Sequence, residues 1–398
     1  MSSGYPRLLV ATEFPPNMPG GGGAIVRQML QGWPVDKLFW WSCRPDESQH
    51  FGQKTAAHAV ALIPKKLYPH RRARIQKCWL LENIWVPWAA RHFQKTLAAF
   101  RPDVVWVISH CWSIPPLARV LPDSGVRYHV SIHDYADVQR VIDGFGAQRS
   151  RRWSEWGDQL YARATTRDGI TRQMTDDLEA RTGAKGIVIR AGLEPADFRR
   201  LEDRAGSADN RRIRIAYAGT IIVEPEFALF ASALAKIRPQ LPRPLSLEFF
   251  GDHSYRSRPW FDASWMTEHG NLPQPQLTAA LEQCTWGFSP MALADEDPRY
   301  NHFSIPAKFT SYLAAGLPVI TLGHPECTVV KTATAYDVGC SSSATHVNAL
   351  AEQLLAAFGE PDPRQKYREN LRRCAREEFD ASRMRQALHT CFGRRTEA

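Results

Sequence analysis

Two stretches of this sequence combine residue types that could handle a phosphate-bearing ligand. In the first, Thr12-Glu13-Phe14-Pro15-Pro16-Asn17-Met18-Pro19 runs into Gly20-Gly21-Gly22-Gly23, and Ala24 to Leu30 then has a helical pattern. Glycines between a strand and a helix let backbone amides approach a phosphate, and the helix N-terminus adds partial positive charge. The spacing is not G-x-G-x-x-G, and four adjacent glycines suit a surface turn equally well. In the second stretch, Asn301 to Ile320, Pro306 stands where a helix would begin and Gly316 where it would end, and Pro318-Val319-Ile320 opens the next strand. A helix entered through Ser304 and Ile305 would place Lys308 in its first turn. The helix dipole disfavours a cation there, so the lysine suggests an anion addressed by both side chain and amides. A solvated surface lysine is the other reading.

These residues need a frame, and apolar runs supply it. Leu8 to Ala11, Asp103 to Ile108, Tyr128 to Ile132 and Gly186 to Ile189 are short, mostly β-branched, and each is followed by a helical pattern. A second series follows at Ile213 to Ala218, Leu245 to Phe250, Trp286 to Ser289 and Pro318 to Thr321. Continuous apolar runs alternating with helices are the mark of parallel strands covered on both faces. The polar stretch Glu202 to Arg212 separates the series as a linker or as the start of a second domain. The expectation is an α/β chain of two Rossmann-like, doubly wound domains facing across a cleft, with ligands at the carboxyl ends of the strands. The domains are placed at residues 1–195 and 196–375. A C-terminal helix over 376–398 either closes the second domain or crosses back to the first, with Leu371, Phe379, Met384, Leu388 and Phe392 as buried positions from Arg364 onward.

With 398 residues, 44% apolar and 23% charged, the chain is long enough for two domains and balanced as a globular protein, which excludes a disordered one. No run approaches the roughly 18 apolar residues that span a bilayer, and no signal peptide is evident at the N-terminus, so a cytoplasmic protein is expected. Eight scattered cysteines, without C-x-x-C or zinc spacing, indicate reduced thiols and neither disulfides nor a structural metal. The net charge of +9 favours an anionic partner. Lys65 to Arg74 forms a basic cluster leading into Lys77-Cys78-Trp79-Leu80-Leu81, Trp85 and Trp88, and Arg149, Arg151, Arg152, Trp153 and Trp156 repeat the theme. This suits either a core-packing helix with a basic edge or peripheral contact with an anionic membrane at its inner face. Nucleic acid ranks behind both, because no recognition motif accompanies the charge.

Pro306-x-Lys308-x-x-x-Tyr312-Leu313-Ala314-Ala315-Gly316-Leu317-Pro318-Val319-Ile320 resembles the donor-site signature of family 4 glycosyltransferases, a retaining family of GT-B fold. Other segments fall in the family's order. Pro15 to Gly22 is similar to its N-terminal glycine loop, with Gly21 and Gly22 at the donor, and Ser131-Ile132-His133-Asp134 to its His-Asp strand end. Ile189-Arg190-Ala191-Gly192-Leu193 with Phe198, Tyr217-Ala218-Gly219-Thr220, Phe250-Gly251-Asp252 and Gly270-Asn271-Leu272 continue the series. The likeness runs along nearly the whole chain. The family's two glutamates, eight positions apart in the donor block, fall on Phe303 and Ser311, and its diphosphate-binding Arg and Lys are replaced after Gly219 by Thr220 and Ile221.

The resemblance implies a hexosyltransferase that takes a nucleotide sugar as donor substrate, needs no cofactor or metal, and serves polysaccharide or glycoconjugate assembly. The N-terminal domain would hold a saccharide or lipid-linked acceptor. There His133 would hydrogen-bond a sugar hydroxyl or assist proton transfer, with Asp134 orienting it or capping the next helix. A buried histidine bonded to backbone is the alternative. Glu13 and the loop Asp295-Glu296-Asp297 are further candidates. The donor would be held by Gly219, Thr220, Gly251, Asp252, Ser304, Ile305, Lys308 and Ser311, with Arg190 also meeting the diphosphate. Closure of the domains would exclude water. Two other readings stay open. One is a GT-B sugar-nucleotide epimerase, and the other a partner protein that kept the fold and lost the donor site.

Overall fold

The computed structural model describes residues 4–16, 18, 21–44, 56–68, 73–135, 146–203, 211–294 and 298–393. Its apolar runs form two all-parallel sheets. The first comprises β1 (Leu8–Ala11), β2 (Leu38–Ser42), β3 (Ala57–Val60), β4 (Val104–Ile108), β5 (Tyr128–Ile132), β6 (Thr166–Gly169) and β7 (Ile187–Val188), ordered β3-β2-β1-β4-β5-β6-β7. The second comprises β8 (Ile213–Ala218), β9 (Leu245–Phe250), β10 (Met266–Glu268), β11 (Trp286–Pro290), β12 (Val319–Leu322) and β13 (Gly339–Ser342), ordered β10-β9-β8-β11-β12-β13. Parallel neighbours need crossover connections, which helices supply on the sheet faces. Each sheet reverses its winding once, between β1 and β4 and between β8 and β11. At such a switch point the connections part and leave a crevice beyond the carboxyl ends of the strands. Leu8 pairs with Val104 across the first switch and Ile215 with Trp286 across the second.

The chain divides into two compact units. One runs up to Arg190 and resumes at Arg383, and the other is the continuous stretch Ala191–Ser382. The boundaries expected at 195 and 375 thus stand at 190 and 382. Residues 204–210 of the polar stretch lie outside the described residues, and the helix Pro195–Asp203 before them belongs to the second unit. The C-terminal apolar positions divide between the units. Leu371 and Phe379 join the second core with Phe227, Phe230, Phe249 and Phe288, while Met384, Leu388 and Phe392 pack into the first with Leu8, Val10, Trp40 and Trp106.

Five strands were not expected from the sequence: β2, β3, β6, β10 and β13. The instructive one is β6, Thr-Arg-Asp-Gly, which has no apolar run because its buried contacts are polar. His129 Nε2 lies 2.6 Å from Asp168 Oδ2, Ser131 donates to the same oxygen at 2.6 Å, and His129 Nδ1 lies 2.8 Å from the Thr166 hydroxyl. Trp106 Nε1 donates to Ser131 Oγ at 2.8 Å. Such a network is tolerated in a core because most of its polar atoms satisfy one another, Asp168 Oδ1 being the buried atom left without a partner.

The glycine run also differs from a strand-to-helix loop. Gly20 lies outside the described residues, and the helix begins at Gly21 rather than Ala24. Gly21, Gly22 and Gly23 therefore form its first turn. A Cβ on Gly23 would stand 2.4 Å from the Met18 carbonyl, whereas one on Gly22 would make ordinary contact with the Phe14 ring. Among the described residues no helix is long and apolar enough to cross a membrane, and none of the eight cysteines forms a disulfide.

Candidate functional site

In the second unit, the candidate anion site centres on Lys308. Pro306 caps the helix Ala307–Ala314 from an extended conformation, which puts Lys308 in the first turn. Its ammonium donates to the Tyr217 hydroxyl at 2.7 Å and sits 3.9 Å from the centre of that ring. Among the described residues no carboxylate pairs with it. Burial alone lowers its pKa to about 7. Tyr217 lies near the end of β8, and its hydroxyl donates onward to the Thr220 carbonyl at 2.7 Å. Burial and neighbouring acidic groups raise the phenol's pKa, so it stays neutral. A half-buried cation held by a neutral partner at a helix N-terminus is poised for an anion.

Gly219 and Gly251 stand side by side at the ends of β8 and β9. Gly219 has a φ of +95°, which a side chain rarely adopts, and a Cβ on Gly251 would come within 3.0 Å of the Gly219 carbonyl. Thr220 Oγ1 lies 3.2 Å from His253 Nδ1, and Asp252 beside them is exposed. Ser304 and Ile305 are half-buried ahead of the lysine helix. Ser311 is turned to its own helix, donating to the Ala307 carbonyl at 3.4 Å. The structure thus brings Lys308, Tyr217, Gly219, Thr220 and Gly251 to the carboxyl ends of β8 and β9. Arg190, expected with them, is a buried residue at the end of the first unit's long stretch.

In the first unit, His133 follows β5 and is buried. Burial lowers its pKa to about 4, Asp168 works against this and His110 adds to it, so the imidazole is neutral. No hydrogen bond joins it to Asp134 among the described residues, so the orienting role expected for that carboxylate is not seen. Asp134 is exposed. The loop 295–297 lies outside the described residues. The better-formed constellation is at the β1–β4 switch point, around Glu13. This buried carboxylate accepts from Arg44 at 2.7 Å through Oε1, and from the Trp112 amide at 3.3 Å through Oε2. His110 Nδ1 lies 3.3 Å from Oε2, and Cys111 Sγ lies 4.0 Å from His110 Nε2. The packing around His110 lowers its pKa, but hydrogen bonds to Cys111 and Glu13 outweigh that and hold it well above the usual histidine value.

Sequence reasoning found Glu13 but missed Arg44, His110 and Cys111. The signal was present for two of them, since His110-Cys111 follows the expected strand Asp103 to Ile108 just as His133 follows its own strand. Nothing in the sequence marked Tyr217 as the partner of Lys308.

No family model matches the chain, and neither does any curated relative. Solved structures do. Sucrose-phosphate synthase from Thermosynechococcus elongatus superposes with a TM-score of 0.70 at 15% identity, covering 98% of this chain and 98% of that one. A UDP-forming α,α-trehalose-phosphate synthase from Burkholderia xenovorans gives 0.63 at 11%, covering 97% and 100%. A protein described as a putative UDP-N-acetylglucosamine 2-epimerase from Listeria monocytogenes gives 0.58 at 12%, covering 96% and 95%. With its two parallel α/β sheets, the chain has the GT-B fold.

Proposed function

We propose that this protein is a glycosyltransferase that moves a hexose from a nucleotide sugar to a hydroxyl of a saccharide or lipid-linked acceptor, in polysaccharide or glycoconjugate assembly. The observation that carries this reading is Lys308, a half-buried lysine whose ammonium has no carboxylate partner among the described residues, at a helix N-terminus beside the β8–β9 glycines. A donor diphosphate would accept from Lys308 and from the helix amides, which stabilise the leaving group without a metal. Gly219 and Gly251 would let backbone approach the donor. The acceptor would lie in the first unit at the carboxyl ends of β1, β4 and β5, near Glu13, His110 and His133. The resemblance to family 4 favours retention of configuration, and the solved neighbours named as sugar-phosphate synthases favour a nucleotide-sugar donor.

The test is a panel of nucleotide sugars, in EDTA, assayed by thermal shift and by release of nucleoside diphosphate with and without saccharide acceptors. Acceptor-dependent release supports transfer. Isomerisation of the donor alone would favour an epimerase, the activity in the name of the Listeria neighbour. Nucleotide binding without turnover would favour a partner protein, the reading that Phe303 and Ser311 support.

The same reading includes peripheral contact with an anionic membrane on the cytoplasmic face. The segment from the helix Arg74–Leu80 through the π-helical turn Leu81–Trp85 into the helix Val86–Phe100 buries Cys78, Leu81, Trp85, Ala89 and Phe93 on one side. Yet Ile75, Trp79, Ile84 and Trp88 are 71%, 54%, 59% and 45% exposed, far more than a core-packing helix requires. Arg91 and Lys95 continue the exposed stripe, and Lys65 and Lys66 are exposed just upstream. Indoles at a headgroup boundary flanked by cations are the composition of an interfacial helix. The expected result is flotation with vesicles containing 30% or so phosphatidylglycerol, roughly in line with about 1 kcal/mol per basic residue, and little flotation with neutral vesicles. The double variant Trp79→Ala, Trp88→Ala should lose it while keeping nucleotide binding, and equal flotation of both proteins would refute the assignment.

A further inference from the structure

The cluster at the β1–β4 switch point has the parts of an activated nucleophile, and nothing in glycosyl transfer requires its sulfur. We propose that Cys111 is a reactive thiol, activated by His110 and oriented through Glu13, and that it is the position at which this protein takes up soft electrophiles.

The geometry is a relay of nucleophile, base and orienting group. Cys111 Sγ is 4.0 Å from His110 Nε2, and His110 Nδ1 is 3.3 Å from Glu13 Oε2. The Arg44 guanidinium holds the carboxylate's other oxygen, Oε1, and the Trp112 amide donates to Oε2 alongside His110. A thiol whose neighbouring imidazole is itself held by a third group matches the general pattern of nucleophile activation. The proton leaves Sγ for Nε2, Nδ1–H stays hydrogen-bonded to Glu13, and the centre holds thiolate, imidazolium, carboxylate and guanidinium with no net charge. The charged and titratable groups facing His110 and Cys111 are Glu13, Arg44, Cys43, His133 and Asp134, with Tyr68 under the Arg44 guanidinium.

Accessibility separates Cys111 from the other thiols. Cys43, Cys78, Cys284, Cys327 and Cys374 are buried, and Cys340 and Cys391, half-buried, have their pKa values raised by burial to about 11. Cys111 is half-buried, and His110 beside it keeps 39% of its side-chain surface open. Oxygen, nitrogen and sulfur of Glu13, His110 and Cys111 also lie within 4.8 Å of one another, a donor set that a thiophilic cation such as zinc would accept. Arg44 argues against that use, because it already occupies Glu13 Oε1 and its charge repels a dication.

The inference stands apart from glycosyl transfer and is tested without it. The folded protein is treated with iodoacetamide between pH 5.5 and 9, and labelling of each cysteine is followed by peptide mass spectrometry. Thiolate sulfur attacks the methylene carbon, the S–C bond forms as the C–I bond breaks, iodide leaves, and the imidazolium proton passes to solvent. At pH 6 Cys111 should label about tenfold or more faster than the same cysteine in urea-unfolded chain, because in the folded chain His110 Nε2 stands beside Sγ to take its proton. Its rate should stay nearly flat with falling pH where the unfolded rate drops. His110→Asn, at a partly exposed position, should return Cys111 to the unfolded rate, and Glu13→Gln should lower it. Equal rates in folded and unfolded wild type, no effect of His110→Asn, or stoichiometric zinc that protects the wild-type thiol would each overturn the proposal.

Discussion

Replacing Lys308 with methionine is expected to weaken nucleoside diphosphate binding by roughly 30- to 150-fold, the loss of about 2 to 3 kcal/mol that a charge-assisted hydrogen bond in a buried setting supplies. Methionine keeps the stem's packing against Tyr217 and removes only the ammonium, so the fold should survive. The protonation of Lys308 gives an independent check. In the folded protein its pKa lies at about 7, and in the unfolded chain near the ordinary 10.5. Between those values the unfolded state holds more protons, so this lysine makes stability rise with pH across that window, and its destabilising effect is fully present below it. Subtracting the Lys308→Met stability profile from that of the wild type should expose this slope. An anion bound at the ammonium restores its proton, so binding at pH 8 should take up a fraction of a proton, measurable by calorimetry in two buffers of different ionisation enthalpy. Unchanged affinity in Lys308→Met together with no proton uptake would move the donor site elsewhere.

Gly287→Ala is expected to destabilise the second unit by about 3 to 5 kcal/mol, combining overpacking with broken hydrogen bonds. A Cβ there would lie 2.4 Å, 2.5 Å and 2.8 Å from Cγ, Cδ2 and Cδ1 of Tyr312. That ring has no slack, because its hydroxyl accepts from the Ala218 amide at 2.9 Å and donates to the Phe288 carbonyl at 3.1 Å. Tyr312 therefore ties the helix of Lys308 to β8 and β11, and displacing it should loosen nucleotide binding as well. Tyr312→Phe alone should cost about 1 to 2 kcal/mol. The two changes should be strongly non-additive, since a displaced ring has already lost its partners. Urea midpoints of the four proteins decide the matter, and a Gly287→Ala loss below 1 kcal/mol or so, well under the usual overpacking range, would show that the helix can shift freely.

Much of the frame was legible because its strands bury both faces and so carry unbroken apolar runs, as at Val104 to Ile108 and Ile213 to Ala218. The strands that escaped notice are of other kinds. β6 hides a buried aspartate whose partners, His129 and Ser131, are remote in sequence, and β13 is an edge strand of glycine, cysteine and serines. The site divides in the same way. Lys308 could be found because Pro306 and Gly316 bracket its helix, while Tyr217 pairs with it only through the fold. Glu13, Arg44 and His110 come together because β2, β1 and β4 are neighbours, a strand order that no local pattern records. The reverse error occurred at Gly21 to Gly23, where glycines that looked like a loop instead allow a helix to start against the Met18 carbonyl.

The last helix settles when each half of the chain can mature during synthesis. Ala191–Ser382 holds every strand of its own sheet in one uninterrupted stretch, so it can close as soon as it clears the ribosome. The earlier half cannot, although it is made first. Its core lacks Met384, Leu388 and Phe392, and Phe392 packs edge-on against His129 over the buried Asp168 network. Until those residues emerge, after the whole of the second unit, the nascent first unit presents an unfilled apolar face to solvent. A chain released early, by a stop codon near 382, should thus yield a mature second half fused to an incomplete first half that chaperones or proteases will claim.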